Sequence, residues 1–152
     1  MSIFSKVLPI GQLDDTNHKW SISTGKYKKE PMIVRLNETA KTWRRHPELF
    51  YRVGFAIPLT NPIPGDMPGD EEYTELNEIE DIICECIKGT GPSIHIATIT
   101  NGRMRESVFY IQNAAAVPAL HKTLKKRINS HDVQCYGEVD EKWKCFDDLQ
   151  PR

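Results

Sequence analysis

His95, Glu106 and Tyr110 fall within one stretch, SIHIATITNGRMRESVFYI at residues 93–111, which reads as two strands folded about Asn101-Gly102. The two-residue period of a strand would bring all three to one side of the resulting ribbon. An imidazole and a carboxylate within hydrogen-bond reach make a general acid–base pair. Tyr110, joined by Tyr136 from near the C-terminus, would instead offer flat rings on which bases stack. By the same alternation Arg52, in YRVGFAIPL, adds a cation to that side. Arg52, His95, Glu106, Tyr110 and Tyr136 are therefore the candidate binding residues. None is assigned a catalytic role, because acid–base work needs a cleft and nothing in the sequence builds one. A strand histidine without a surrounding motif reads first as structural. No GxSxG, phosphate loop or HExxH is present.

Metal and thiol chemistry find no better footing. Cys84 and Cys86 are two apart on a helical stretch and point in different directions, while Cys135 and Cys145, with His131 nearby, match no zinc spacing. Buried free thiols are the expected outcome. The acidic run DEEYTELNEIEDI lacks the glycine turn and oxygen spacing of a calcium loop. No metal and no cofactor is implied.

The chain of 152 residues fits one domain, with 39% hydrophobic and 27% charged residues, as in a globular protein. A net charge of -1 gives no general attraction to nucleic acid or anionic membrane. The opening MSIFSKVLPIGQLDD has no apolar core of a signal peptide, and no stretch approaches the roughly 18 apolar residues of a spanning helix. A cytoplasmic protein is expected, in which the sequon Asn37-Glu38-Thr39 carries no sugar.

The elements that must position the candidates follow from periodicity. Residues 1–17 form a lead-in to a single α+β domain over 18–152. KWSISTGKY and MIVRLNET make a first hairpin. YRVGFAIPL is a half-buried strand with Tyr51, Val53, Phe55, Ile57 and Leu59 on one side. The proline- and glycine-rich TNPIPGDMPGD can enter neither helix nor ladder. Asp70 offers an N-cap to an amphipathic helix over 71–88, with Leu76, Ile79 and Ile83 on its inner face and Gly89 at its end. A second helix carries Val117, Leu120, Leu124 and Ile128, with Pro118 in its first turn. DVQCYGEV is the last strand, and KWKCFDDLQP supplies one docked helical turn. Strand, helix, hairpin, helix, strand is the ferredoxin-like βαββαβ order, here with an added N-terminal hairpin and C-terminal turn. The acidic first helix and the second, with Lys122, Lys125, Lys126 and Arg127, suit side-by-side packing.

A two-residue Asn-Gly turn would set Ile94 opposite Phe109 and Ile96 opposite Ser107. Ile94, Ile96, Phe109 and Ile111 would then pack under the helices, leaving His95, Ala97, Val108 and Tyr110 on a second, partly apolar face. That face needs an occupant: the N-terminal hairpin with Trp20 and the tail with Trp143, a partner protein, or a nucleic acid stacked on Tyr110 and Tyr136. The basic WRRH at 43–46 is the local feature that favours nucleic acid.

Trp20 in the first hairpin, GDMPGDEEYTELNEIEDII, TNGRMRESVFY and the closing DEKWKCFDDLQP together resemble the bacterial domain of unknown function numbered 695, from about residue 18 to the end. Phe146 stands where that family more often has tyrosine. The resemblance transfers no catalytic residue. It implies a fold similar to the regulator that inhibits a bacterial ribonuclease, and a kinship with small acidic immunity partners of toxins. The expectation is thus a non-enzymatic module that binds another protein through an open sheet face or the acidic helix. Single-stranded nucleic-acid binding on the tyrosine face, and an enzyme using His95 and Glu106, are the alternatives.

Overall fold

A computed structural model describes residues 7–14 and 16–151, so residues 1–6 and 15 of the lead-in lie outside the described residues. The elements are β1 (Trp20–Tyr27), β2 (Glu30–Asn37), β3 (Tyr51–Pro58), α1 (Asp70–Lys88), β4 (Ser93–Thr100), β5 (Met104–Ile111), α2 (Val117–Arg127), β6 (Gln134–Val139) and α3 (Lys144–Asp148). All strands join one open antiparallel sheet in the order β1-β2-β4-β5-β3-β6. The first hairpin extends the sheet at one edge; β6 forms the other. Among the described residues no helix is long and apolar enough to cross a membrane.

One face of the sheet carries the main core. Val53, Phe55 and Ile57 of β3 and Phe109 and Ile111 of β5 pack beneath Leu76, Ile79, Ile83 and Ile87 of α1 and Leu120 and Leu124 of α2. Asp70, Glu71 and Glu72 crowd the first turn of α1, where the helix dipole favours them, although Gly69 rather than Asp70 occupies the cap. Opposite charges on the helices meet where Arg127 lies 3.6 Å from Glu85 and donates to Cys86 Sγ at 3.2 Å. Buried Glu72 pins the proline-rich loop by accepting from the backbone N–H groups of Thr60 and Asn61 at 2.7 and 3.0 Å, with His131 Nε2 2.6 Å away. The same loop closes on Gly102, where any Cβ would come within 2.0 Å of the Ile63 carbonyl oxygen.

The central hairpin departs from the expected register at two points. Asn101 Oδ1 accepts from the N–H groups of Arg103 and Met104, at 2.8 and 2.9 Å, so the loop is longer than two residues and Thr100 pairs with Arg105. A bulge between His95 and Ala97 shifts the pairing again, setting Ile94 opposite Tyr110 and His95 opposite Phe109. A one-residue slip moves side chains to the other face. Ile94 and Ile96 consequently join Val108 and Tyr110 on the second face, and His95 turns under the helices.

That second face is closed from within the chain. Trp43, Leu49, Trp143 and Phe146 pack over Leu36, Ile94, Ile96, Val108 and Tyr110. Trp43 belongs to a 3-10 turn at Glu38–Trp43, capped by Asn37, whose side chain accepts from the Thr39 N–H. Asn37 is fully buried, which takes the sequon out of the surface. Of the expected coverings the tail with Trp143 is in place, whereas Trp20 remains at the sheet edge. Within the basic WRRH stretch Trp43 and His46 are buried and Arg44 grips Asp147 through Nε and Nη2 at 2.7 and 2.5 Å, while Arg45 is exposed.

Candidate functional site

Four of the five candidate residues do share one face. Tyr110 pairs with Arg52, Glu106 with Ala56, and Gly54 with Tyr136 across adjacent strands, so their side chains emerge together on the second face. The Tyr136 hydroxyl donates to Glu106 Oε1 at 2.6 Å, and the Arg52 guanidinium pairs with Glu138 and lies 5.2 Å from the Tyr136 ring centroid. Tyr136 lies flat across Gly54, since a Cβ there would sit 2.1 Å from its ring. Tyr110 is fully buried; it donates to Asp140 Oδ2 at 2.7 Å, and its ring stacks on Trp143 at 4.1 Å. Burial and the carboxylate each phenol meets raise both hydroxyls well above the ordinary tyrosine range. These phenols stay protonated as structural donors.

His95 is separated from that group by the thickness of the sheet. It stacks on Phe109 at 4.4 Å and meets Trp20 edge-on at 5.0 Å. Its Nε2 is 3.0 Å from the Ala97 carbonyl oxygen and 3.0 Å from Thr98 Oγ1. A carbonyl can only accept, so Nε2 carries the proton and Nδ1 accepts from the Cys84 thiol at 3.7 Å. Thr98 passes its own proton to Glu80 Oε1 at 2.5 Å, and Glu80 is held on its other oxygen by Arg35 at 2.5 Å. Burial opposes ionisation of Glu80, but the Thr98 bond and the Arg35 ion pair outweigh it and lower the carboxyl. The chain Arg35, Glu80, Thr98, His95, Cys84 has the order of a nucleophile, base and orienter. Its electrostatics run against that use: burial, then Glu80 and Asp81, push the Cys84 thiol up to about 12, and burial drives His95 down to about 4. Both partners are neutral near pH 7, a packed hydrogen-bonded pair rather than an activated thiolate.

This pair borders a cavity of about 450 Å³ between the last turn of α1, the start of β4 and the start of β1. Trp20, Phe109 and Ile87 give it apolar walls, and His18 and Lys88 add polar groups. Beyond the cavity the helix-side face of β1 and β2 continues uncovered. Ile22 pairs with Arg35, which pairs with Thr98 under α1, so Trp20, Ile22 and Thr24 lie on the helix side. α1 lies over β3, β4 and β5 and reaches β2 through the Glu80–Arg35 ion pair, leaving Ile22 of β1 exposed. Trp20 is 37% exposed and Ile22 70%, with the Arg35 guanidinium 5.5 Å from the Trp20 ring centroid. The sequence alternation put Trp20 and Ile22 on a common face but gave no sign that the helices would miss it, and nothing singled out His18. The four cysteines are all free, and among the described residues no group of His, Cys, Asp and Glu is arranged to hold a metal.

These elements define an α+β protein with an open six-stranded antiparallel sheet and a pocketed, partly uncovered helical side. Within that class the chain belongs to the family of unknown function DUF695, whose model matches residues 18–149. No curated protein and no solved structure matches it.

Proposed function

We propose that this chain is a small non-enzymatic regulatory module that binds another protein, seating it on the uncovered strip of β1 and β2 beside the acidic α1. The observation that carries the reading is the exposure of Trp20 and Ile22 on a sheet face whose other strands are sheltered by helices. Apolar side chains gathered in this way at a sheet edge mark contact surfaces, and β1 also offers the free backbone groups of an edge strand for strand addition. Exposed Glu78 and Asp81 on α1 favour a partner segment that is basic as well as apolar. The order β4-β5-β3-β6 with both helices on one side supports reading the core as ferredoxin-like, and with it the inhibitor or immunity type of partner protein. A cytoplasmic setting suits the free thiols.

The nucleic-acid alternative has less to stand on, because Tyr110 is sealed beneath Trp143 and Tyr136 is laid on Gly54 with its hydroxyl engaged. An enzyme pairing His95 with Glu106 meets the sheet between them. The test is affinity capture with the wild-type chain and Ile22→Asp. A protein retained in high salt by the wild type and lost from Ile22→Asp supports the proposal. Recovery of nucleic acid that leaves with salt, or equal retention by the variant, would contradict it.

A further inference from the structure

We infer that the pocket at the start of β1 is a binding site for an uncharged apolar group bearing a carbonyl oxygen, of the kind an aromatic residue in a peptide chain presents. The inference rests on the protein-binding reading for the source of that group, and on the pocket's own chemistry for its class.

The decisive atom is His18 Nε2. Asn37 Oδ1 accepts from the Thr39 N–H at 3.0 Å, which fixes the orientation of the amide. Its Nδ2 therefore faces both the His95 carbonyl oxygen, at 2.9 Å, and His18 Nδ1, at 3.0 Å. An amide nitrogen only donates, so His18 Nδ1 accepts and the imidazole proton resides on Nε2. That Nε2–H is buried and has no hydrogen-bond partner among the described residues, and His18 lines the pocket. An unmatched buried donor costs about 1–3 kcal/mol, and an acceptor oxygen entering the pocket removes the penalty.

The surroundings decide what else the ligand carries. Trp20, Phe109 and Ile87, with Ile10 and Leu13, form apolar walls around a volume at the small end of ligand cavities. The last turn of α1 ends at the pocket, and the outward carbonyl groups of a helix C-terminus disfavour an anion. Asp81 adds negative potential that the Cys84 thiol already registers, opposed at the rim by Lys88, while the charge of Glu80 is met by its ion pair with Arg35. A neutral carbonyl satisfies the donor without meeting that field.

The test is titration of the isotope-labelled full chain with N-acetyl-L-phenylalaninamide, following the His18 imidazole and Trp20 indole resonances. The expected result is a saturable shift of both, with affinity about tenfold weaker for propylbenzene, which lacks the carbonyl, and weaker for N-acetyl-L-phenylalanine, which is anionic. Absence of a saturable response, equal affinity for propylbenzene, or tighter binding of the anion would overturn the inference. Trp20→Ala should weaken the amide at least tenfold. Ile22→Asp lies outside the pocket and should leave it unchanged, so probe binding by a variant that no longer captures a partner separates the pocket from the strip.

Discussion

Tyr110 and Trp143 stack face to face, with ring centroids 4.1 Å apart and planes 3° from parallel. This contact joins β5 to the C-terminal tail and shuts the second face of the sheet. Around it, Asp140 accepts from the Tyr110 hydroxyl and from the N–H groups of Lys144 and Cys145, and Trp143 Nε1 donates to the Leu49 carbonyl at 2.7 Å. Trp143 adopts φ 55°, a left-handed conformation that tertiary packing must hold.

Trp143→Ala is expected to cost about 3–5 kcal/mol, the range for removing a large buried aromatic. Trp143→Phe should keep much of the stack but leave the Leu49 carbonyl unmatched, for about 1–3 kcal/mol. Urea unfolding measures both. A loss below 1 kcal/mol for the alanine variant would mean that the tail does not close the face.

The central hairpin marks the limit of what sequence reveals. The elements were legible: alternation in YRVGFAIPL, helical spacing over 71–88 and the proline breaks lie where β3, α1 and the loop before α1 stand. The pairing was not. The side chain of Asn101 spends itself on two backbone N–H groups, lengthening the turn, and the bulge at His95 then re-phases half of β4. Neither event leaves a mark in local composition. Arg52, Glu106, Tyr110 and Tyr136 share a face, as simple alternation implies, because β3, β5 and β6 pair without interruption beside them. His95 leaves that face through the single residue the bulge inserts. His18 and Trp20 became a site through the reach of α1, a tertiary fact.

Gly54 and Tyr136 make a second, local test. Gly54→Ala should destabilise the chain by about 1–3 kcal/mol, because its Cβ must displace the Tyr136 ring from across the strand. Adding Tyr136→Ala removes the clash, so the double variant should be more stable than the sum of the single losses implies. Strict additivity in the urea cycle would show that the ring does not lie on the glycine.

His95 gives stability a pH dependence. Burial takes its folded value from 6.5 to about 4, so between these limits the unfolded chain binds the extra proton. Stability therefore falls as pH drops from 6.5 to about 4, by about 3 kcal/mol in all, and is level above that window for this group. Glu72 and Glu80, both lowered against the penalty of burial by the bonds they accept, extend the loss below pH 4.5. The His95→Gln variant should flatten the upper part of the profile in urea midpoints taken from pH 7.5 to 4.5. An unchanged slope there would contradict a buried neutral imidazole.

Hydroxyl-radical footprinting of the chain, alone and with its captured partner, tests the division of the surface most directly. Trp20 should be oxidised in the free chain and protected in the complex, while Tyr110 and Trp143 stay protected in both. Oxidation of Tyr110 or Trp143 in the free chain, suppressed when the partner binds, would place the contact on the opposite face and contradict the account.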